Sequence, residues 1–104
     1  MISILLPVYN AENFIESSLS SILNSSYKDF KLVMINDGST DNSEKIIKKF
    51  NDERIALYNK SNSGLVQTLN YGIKKCESEI IMRMDADDKI HPLKLEKQLK
   101  AFKE

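Results

Sequence analysis

Short apolar runs alternate along the chain with longer stretches in which apolar residues recur every three or four positions. Ile2-Ser3-Ile4-Leu5-Leu6-Pro7-Val8 reads as a buried strand, and Pro7 limits where it can end. Asn10 supplies a helix N-cap, with Ile15, Leu19, Ile22 and Leu23 following at helical spacing. Lys31 to Ile35 is a second strand. Asp41 and Glu44 resemble a capping box opening a helix whose apolar stripe is Ile46, Ile47 and Phe50. A third strand is expected over about Arg54 to Tyr58, and a third helix with Leu65, Leu69 and Ile73 on its inner face. Ile80 to Met84 is the fourth strand. Pro92 suits the first turn of a last helix, with Leu95, Leu99 and Phe102 inward.

This alternation predicts an α/β fold: right-handed crossovers, a mostly parallel sheet and a Rossmann-like α/β/α sandwich. Ligands of such sheets bind beyond the carboxyl ends of the strands, where strand order switches. The segments there are Tyr9-Asn10, Asn36 to Asp41, Asn59 to Gly64 and Asp85 to Asp88, and all four are polar.

Length and charge narrow the function classes. The 104 residues are room for one domain. Fifteen basic and fifteen acidic residues cancel, so no basic field points to nucleic acid. Cys76 is the only cysteine, which fits a reducing compartment and reads as a small apolar group on a helix. The run Ile2 to Val8 is too short for a secretory leader, and no stretch approaches the ~20 apolar residues of a membrane span. A cytoplasmic location is expected.

Asp85, Asp87 and Asp88 fall within four residues, directly after an apolar strand. Carboxylates this close raise one another's pKa unless a cation compensates them. Their hard oxygens select Mg²⁺ or Mn²⁺, and one or two carboxylates plus substrate phosphates complete a typical site. In an extended segment residues two apart point the same way, so Asp85 and Asp87 can converge. The plainer reading is that Asp87 or Asp88 caps the following helix. The Asn36-to-Asp41 loop is likewise either a tight turn or a ligand loop. Asp37 could accept the N–H of a planar base such as uracil, Gly38 permits close approach, and the Tyr9 ring could stack on that base.

Familiar phosphate and nucleophile signatures are absent. There is no G-x-G-x-x-G, no G-x-x-x-x-G-K-[ST] and no G-x-S-x-G, and His91 lacks the partners of a zinc site.

Taken together, four segments resemble the inverting family 2 glycosyltransferases of the GT-A fold. They are Ile4 to Asn10, Val33 to Asp41, Asn62-Ser63-Gly64 through Asn70-Tyr71-Gly72, and Arg83-Met84-Asp85-Ala86-Asp87-Asp88. The resemblance implies that Pro7, Tyr9 and Asp37 hold the nucleoside and that Asn62 and Gly64 border base and ribose. It implies that Asp85 lies near ribose or metal and that Asp87 is the direct ligand of Mn²⁺ or Mg²⁺ bridging the diphosphate. Arg83 either contributes there or pairs with the aspartates. The implied partners are a nucleotide-diphosphate sugar, UDP-linked in the first instance, and a glycan or lipid-linked acceptor. The setting it implies is polysaccharide or cell-surface glycan synthesis.

Family members continue well beyond this length and carry their catalytic base in the second half. The expectation is therefore a donor-binding half, with the base beyond Glu104 and any peripheral association with the inner face of the membrane made by that further part. Two other readings stay open: a module that binds nucleotide and metal without turnover, and a phosphoaspartate-type α/β domain.

Overall fold

A computed structural model describes residues 1–87 together with residues 97 and 98. The expected last helix, with Pro92, Leu95, Leu99 and Phe102, lies outside the described residues, as do Asp88 and His91.

Strands and helices alternate: β1 (Ile2–Val8), α1 (Ile15–Leu23), β2 (Phe30–Asp37), α2 (Ser43–Lys48), β3 (Ile55–Lys60), α3 (Leu65–Lys75) and β4 (Ile80–Arg83). All pairings are parallel, in the order β3-β2-β1-β4. β1 is central because its residues are apolar on both faces, as a doubly covered parallel strand requires. Ile2, Ile4, Leu6 and Val8 pack with Ile15, Leu19 and Ile22 of α1 and Ile47 of α2. On the opposite face, Leu5, Val33 and Ile35 pack with Leu69 and Tyr71 of α3. The sheet is thus sandwiched, as the sequence predicts. Each fully buried Leu or Ile contributes roughly 1.5–3 kcal/mol of transfer free energy.

Between β3 and β4 the chain crosses back over β2 and β1, so strand order switches between β1 and β4. A crossover of unchanged hand travelling in the reverse direction must use the other face. That explains α3 standing opposite α1 and α2.

Several local expectations are corrected. α1 begins five residues after Asn10, behind a turn in which the Ala11 carbonyl accepts the Phe14 and Ile15 N–H groups. Asn10 is therefore no N-cap: it takes φ +47°, which asparagine tolerates, and its Oδ1 accepts the Thr40 N–H at 2.8 Å. Glu44 does not close a capping box, because its carboxylate binds Lys48 and Asn59 instead. The inner positions of α3 are Thr68 and Gly72, while Leu65 and Ile73 are half exposed. The helix comes so close that a Cβ on Gly72 would lie 2.3 Å from Leu5 Cδ1, so a side chain at this position of the helix would force Leu5 to shift. β2 and β3 also run two residues further than their apolar stretches, through Asn36-Asp37 and Asn59-Lys60. No helix of the described residues is long and apolar enough to cross a membrane.

Candidate functional site

The carboxyl end of β2 carries Asp37 into a nearly closed environment. Its Oδ1 receives Lys60 Nζ at 3.0 Å and the Ser63 N–H at 2.9 Å, and its Oδ2 receives the Gly64 N–H at 3.1 Å. Asn62 Nδ2 donates to the Asp37 carbonyl at 3.0 Å and reaches Oδ2 at 3.4 Å. Lys60 also donates to the Ser61 carbonyl at 2.8 Å and to the Ser63 hydroxyl. A carboxylate offers about four lone-pair directions, and here all are engaged. Burial alone pushes the Asp37 carboxyl upward. The Lys60 ammonium and the Ser63 and Gly64 N–H groups outweigh it, so the pKa lies below its ordinary value. The Thr68 hydroxyl adds to that pull from nearby without completing a hydrogen bond.

The backbone of this loop needs its glycines. Gly64 takes φ +92°, and Gly38 takes φ +67° with a notional Cβ only 2.6 Å from the Asn62 nitrogen. The loop after β1 is bound sideways to the loop after β2. Asn10 N–H donates to Ser39 Oγ at 3.0 Å, Ala11 N–H to Ser43 Oγ at 2.8 Å and Glu12 N–H to Asp41 Oδ2 at 3.1 Å. In return the Asn42 N–H donates to Glu12 Oε2 at 3.0 Å. Tyr9 stands beside this brace with half its surface exposed.

On the far side of β1 lies the acidic loop. Met84 N–H extends the ladder by one bond to the Leu5 carbonyl at 3.0 Å. Ala86 and Asp87 then form a turn, so strand alternation does not govern the aspartates as the sequence reading supposed. Both carboxylates are exposed, and Asp85 pairs with Arg83 at 3.1 Å. That pairing is the one the sequence left open for Arg83. Among the described residues no cluster of three or more His, Cys, Asp or Glu could hold a metal. Two hard carboxylates nevertheless fit a Mg²⁺ or Mn²⁺ site completed by phosphate oxygens and water.

These loops enclose a cavity of about 550 Å³, within the range of small-ligand sites. Pro7, Tyr9 and Asp37 line it, with Asn62 and Gly64 on the β3 side. Asp85, Asp87 and Arg83 line it on the β4 side. Phe14, Leu65 and Thr68 also line it, although the sequence reading did not single them out for this place. For Thr68 a signal existed, since it stands four residues after Gly64 on the first turn of α3.

The chain matches Glycosyl transferase family 2 over residues 3–104. It is 40% identical over 101 residues to an Escherichia coli O-antigen biosynthesis glycosyltransferase, WbnJ, covering 94% of this chain and 40% of that protein. Among solved structures it resembles S. aureus TarS 1-349 in complex with UDP-GlcNAc. There the TM-score is 0.87 at 30% identity, covering 97% of this chain and 30% of the other. It shares its fold with the mannosyltransferase PcManGT from Pyrobaculum calidifontis, crystallised with GDP-Man and Mn2+. In that case the TM-score is 0.88 at 22% identity, covering 95% and 31%. The chain spans 15% to 41% of the length of the curated relatives it matches. The parallel α/β fold is shared with these proteins, and the chain belongs to the family 2 glycosyltransferases.

Proposed function

We propose that the chain is the donor-binding part of a metal-dependent, inverting glycosyltransferase that moves a sugar from a UDP-sugar to an acceptor hydroxyl in cell-surface glycan synthesis. The observation that carries this reading is one cavity spanning the strand-order switch, with Asp85 and Asp87 on one side and Tyr9, Asn62 and Gly64 on the other. The spacing of roles follows that of a nucleoside diphosphate, with a planar base at one end and clustered negative charge at the other. Tyr9 offers an exposed ring for the base. Asn62 and Gly64 border base and ribose. Asp37 holds their loop in place, and a base N–H would compete with the donors already on its carboxylate.

Asp85 and Asp87 provide the oxygen ligands for Mn²⁺ or Mg²⁺. When bound, such an ion neutralises charge on the departing diphosphate. No described residue is assigned as the base that activates the acceptor, and the curated relatives are much longer than the segment matched. UDP-GlcNAc in the S. aureus relative supports a UDP-sugar, and the role of the Escherichia coli relative supports surface polysaccharide assembly. The phosphoaspartate reading falls with the family match.

Calorimetric titration with UDP, with and without Mn²⁺, tests the assignment. Binding is expected to strengthen with Mn²⁺ and to lose that dependence in Asp87→Ala. Metal-dependent binding retained by this variant would remove the assignment of Asp87.

A further inference from the structure

α1 presents its buried stripe to the sheet through Ile15, Leu19 and Ile22, and within that stripe stands one hydroxyl, Ser18, only 1% exposed. An unpartnered hydroxyl there would be costly, and alanine would be the better helix former. Mid-helix serines commonly satisfy themselves on the carbonyl four residues back. Ser18 instead donates out of its helix to the carbonyl oxygen of Ala86 at 2.6 Å, across 68 positions of sequence.

Ala86 separates the two aspartates of the acidic loop. Its carbonyl belongs to the peptide plane that ends at the Asp87 nitrogen, so fixing that oxygen fixes the plane from which Asp87 projects. The other attachment is the Met84 N–H on the Leu5 carbonyl at 3.0 Å. Ala86 is partly buried against the core, with Met84 packed inside it, while Asp85 and Asp87 face outward. Two neighbouring negative charges favour spreading apart. A loop held at Met84 and again at Ala86 resists this before any cation arrives.

We propose that Ser18 is a positioning residue for the metal-bearing loop, its hydroxyl setting the geometry of the Asp85 and Asp87 carboxylates through the Ala86 carbonyl. The proposal rests on the donor-site reading above and adds a residue that touches neither nucleotide nor metal.

The test measures Mn²⁺ binding to the full chain at saturating UDP by electron paramagnetic resonance, beside UDP affinity without metal by calorimetry. Removing an outer support of a metal site typically costs 10–100-fold in metal affinity. Ser18 acts on backbone rather than on a ligand, so Ser18→Ala is expected at the low end: roughly tenfold more Mn²⁺ for half-saturation, with metal-free UDP affinity unchanged. Ser18→Cys fills the same space with a weak donor and is expected to behave alike; it serves if the alanine variant fails to fold. A merely structural serine would lower the melting temperature without moving Mn²⁺ half-saturation. Wild-type Mn²⁺ binding in a folded Ser18 variant, with Asp87→Ala defective, overturns the proposal and leaves the donor site standing. Undiminished Mn²⁺ binding in Asp87→Ala removes the assignment of Asp87 as a metal ligand, and the proposal with it.

Discussion

Replacing Lys60 by methionine keeps an unbranched apolar stem and removes the charge that faces Asp37. The side chains of the pair are only 16% and 6% exposed, and their atoms stand 3.0 Å apart. Breaking a fully buried pair costs about 3–5 kcal/mol, because the remaining ion is left uncompensated. Here Asp37 keeps the Ser63 and Gly64 N–H groups, which lowers the expected loss to about 2–3 kcal/mol at pH 7. For a domain of this size that is a fall in melting temperature of roughly 10–20 °C. The pH dependence identifies the cause. In the wild type the Asp37 carboxyl lies below its ordinary value of 3.8, so its stabilisation is present above that value and lost as pH falls through the folded pKa. Without Lys60 the upward push of burial gains weight, and Asp37 takes up its proton at higher pH. The gap between variant and wild type should therefore be widest near neutrality and narrow as the medium is acidified. Urea melts at pH 7 and near pH 3 measure it. A gap unchanged between the two would refute the ion-pair account, and so would a loss below about 0.5 kcal/mol at pH 7, the size of an ordinary surface substitution.

Gly72→Ala should destabilise despite improving helix propensity by about 1 kcal/mol. The new Cβ would meet Leu5 Cδ1 at 2.3 Å within a packed cluster, and overpacking of this kind costs about 1–3 kcal/mol in denaturant melts. Asp52, bound to Arg54 at 2.8 Å, has its carboxyl lowered to about 2 by that guanidinium. Its contribution is present above the ordinary 3.8 and lost as pH falls through about 2, so Asp52→Asn should destabilise at pH 7 and match the wild type near pH 2. Both predictions are read from chemical melts across pH.

Sequence reasoning reached the fold because its strongest signal, a both-faced apolar run, lies in the central strand. Ile2 to Val8 reads as it folds. It failed where a bond leaves its own neighbourhood. Asn10 and Asp41 carry N-cap side chains, yet Asn10 reaches Thr40 and Asp41 shares its carboxylate between Ser43 and Glu12. Of the Leu65-Leu69-Ile73 stripe only Leu69 faces inward, because a helix in close approach selects small residues, here Thr68 and Gly72, that no hydropathy pattern marks. At the site, topology makes the lining residues legible: every strand end that carries a polar loop opens on one crevice. The saturation of Asp37 was not legible, since four donors from residues 60 to 64 converge on it only after β3 pairs with β2. Nor was Ser18, whose partner lies beyond five intervening elements.

β4 is joined to β1 through only four residue pairs, whereas β1 and β2 share seven. A molecule lodged in the crevice with one end on Asp85 and Asp87 and the other on Tyr9 and Asn62 would lie across this shorter seam. It would act as a staple, tying the least firmly attached strand to the rest of the sheet. Amide exchange in Ile80 to Arg83 should then slow more on nucleotide binding than exchange in β1 or β2, and the donor would help to build the surface that holds it.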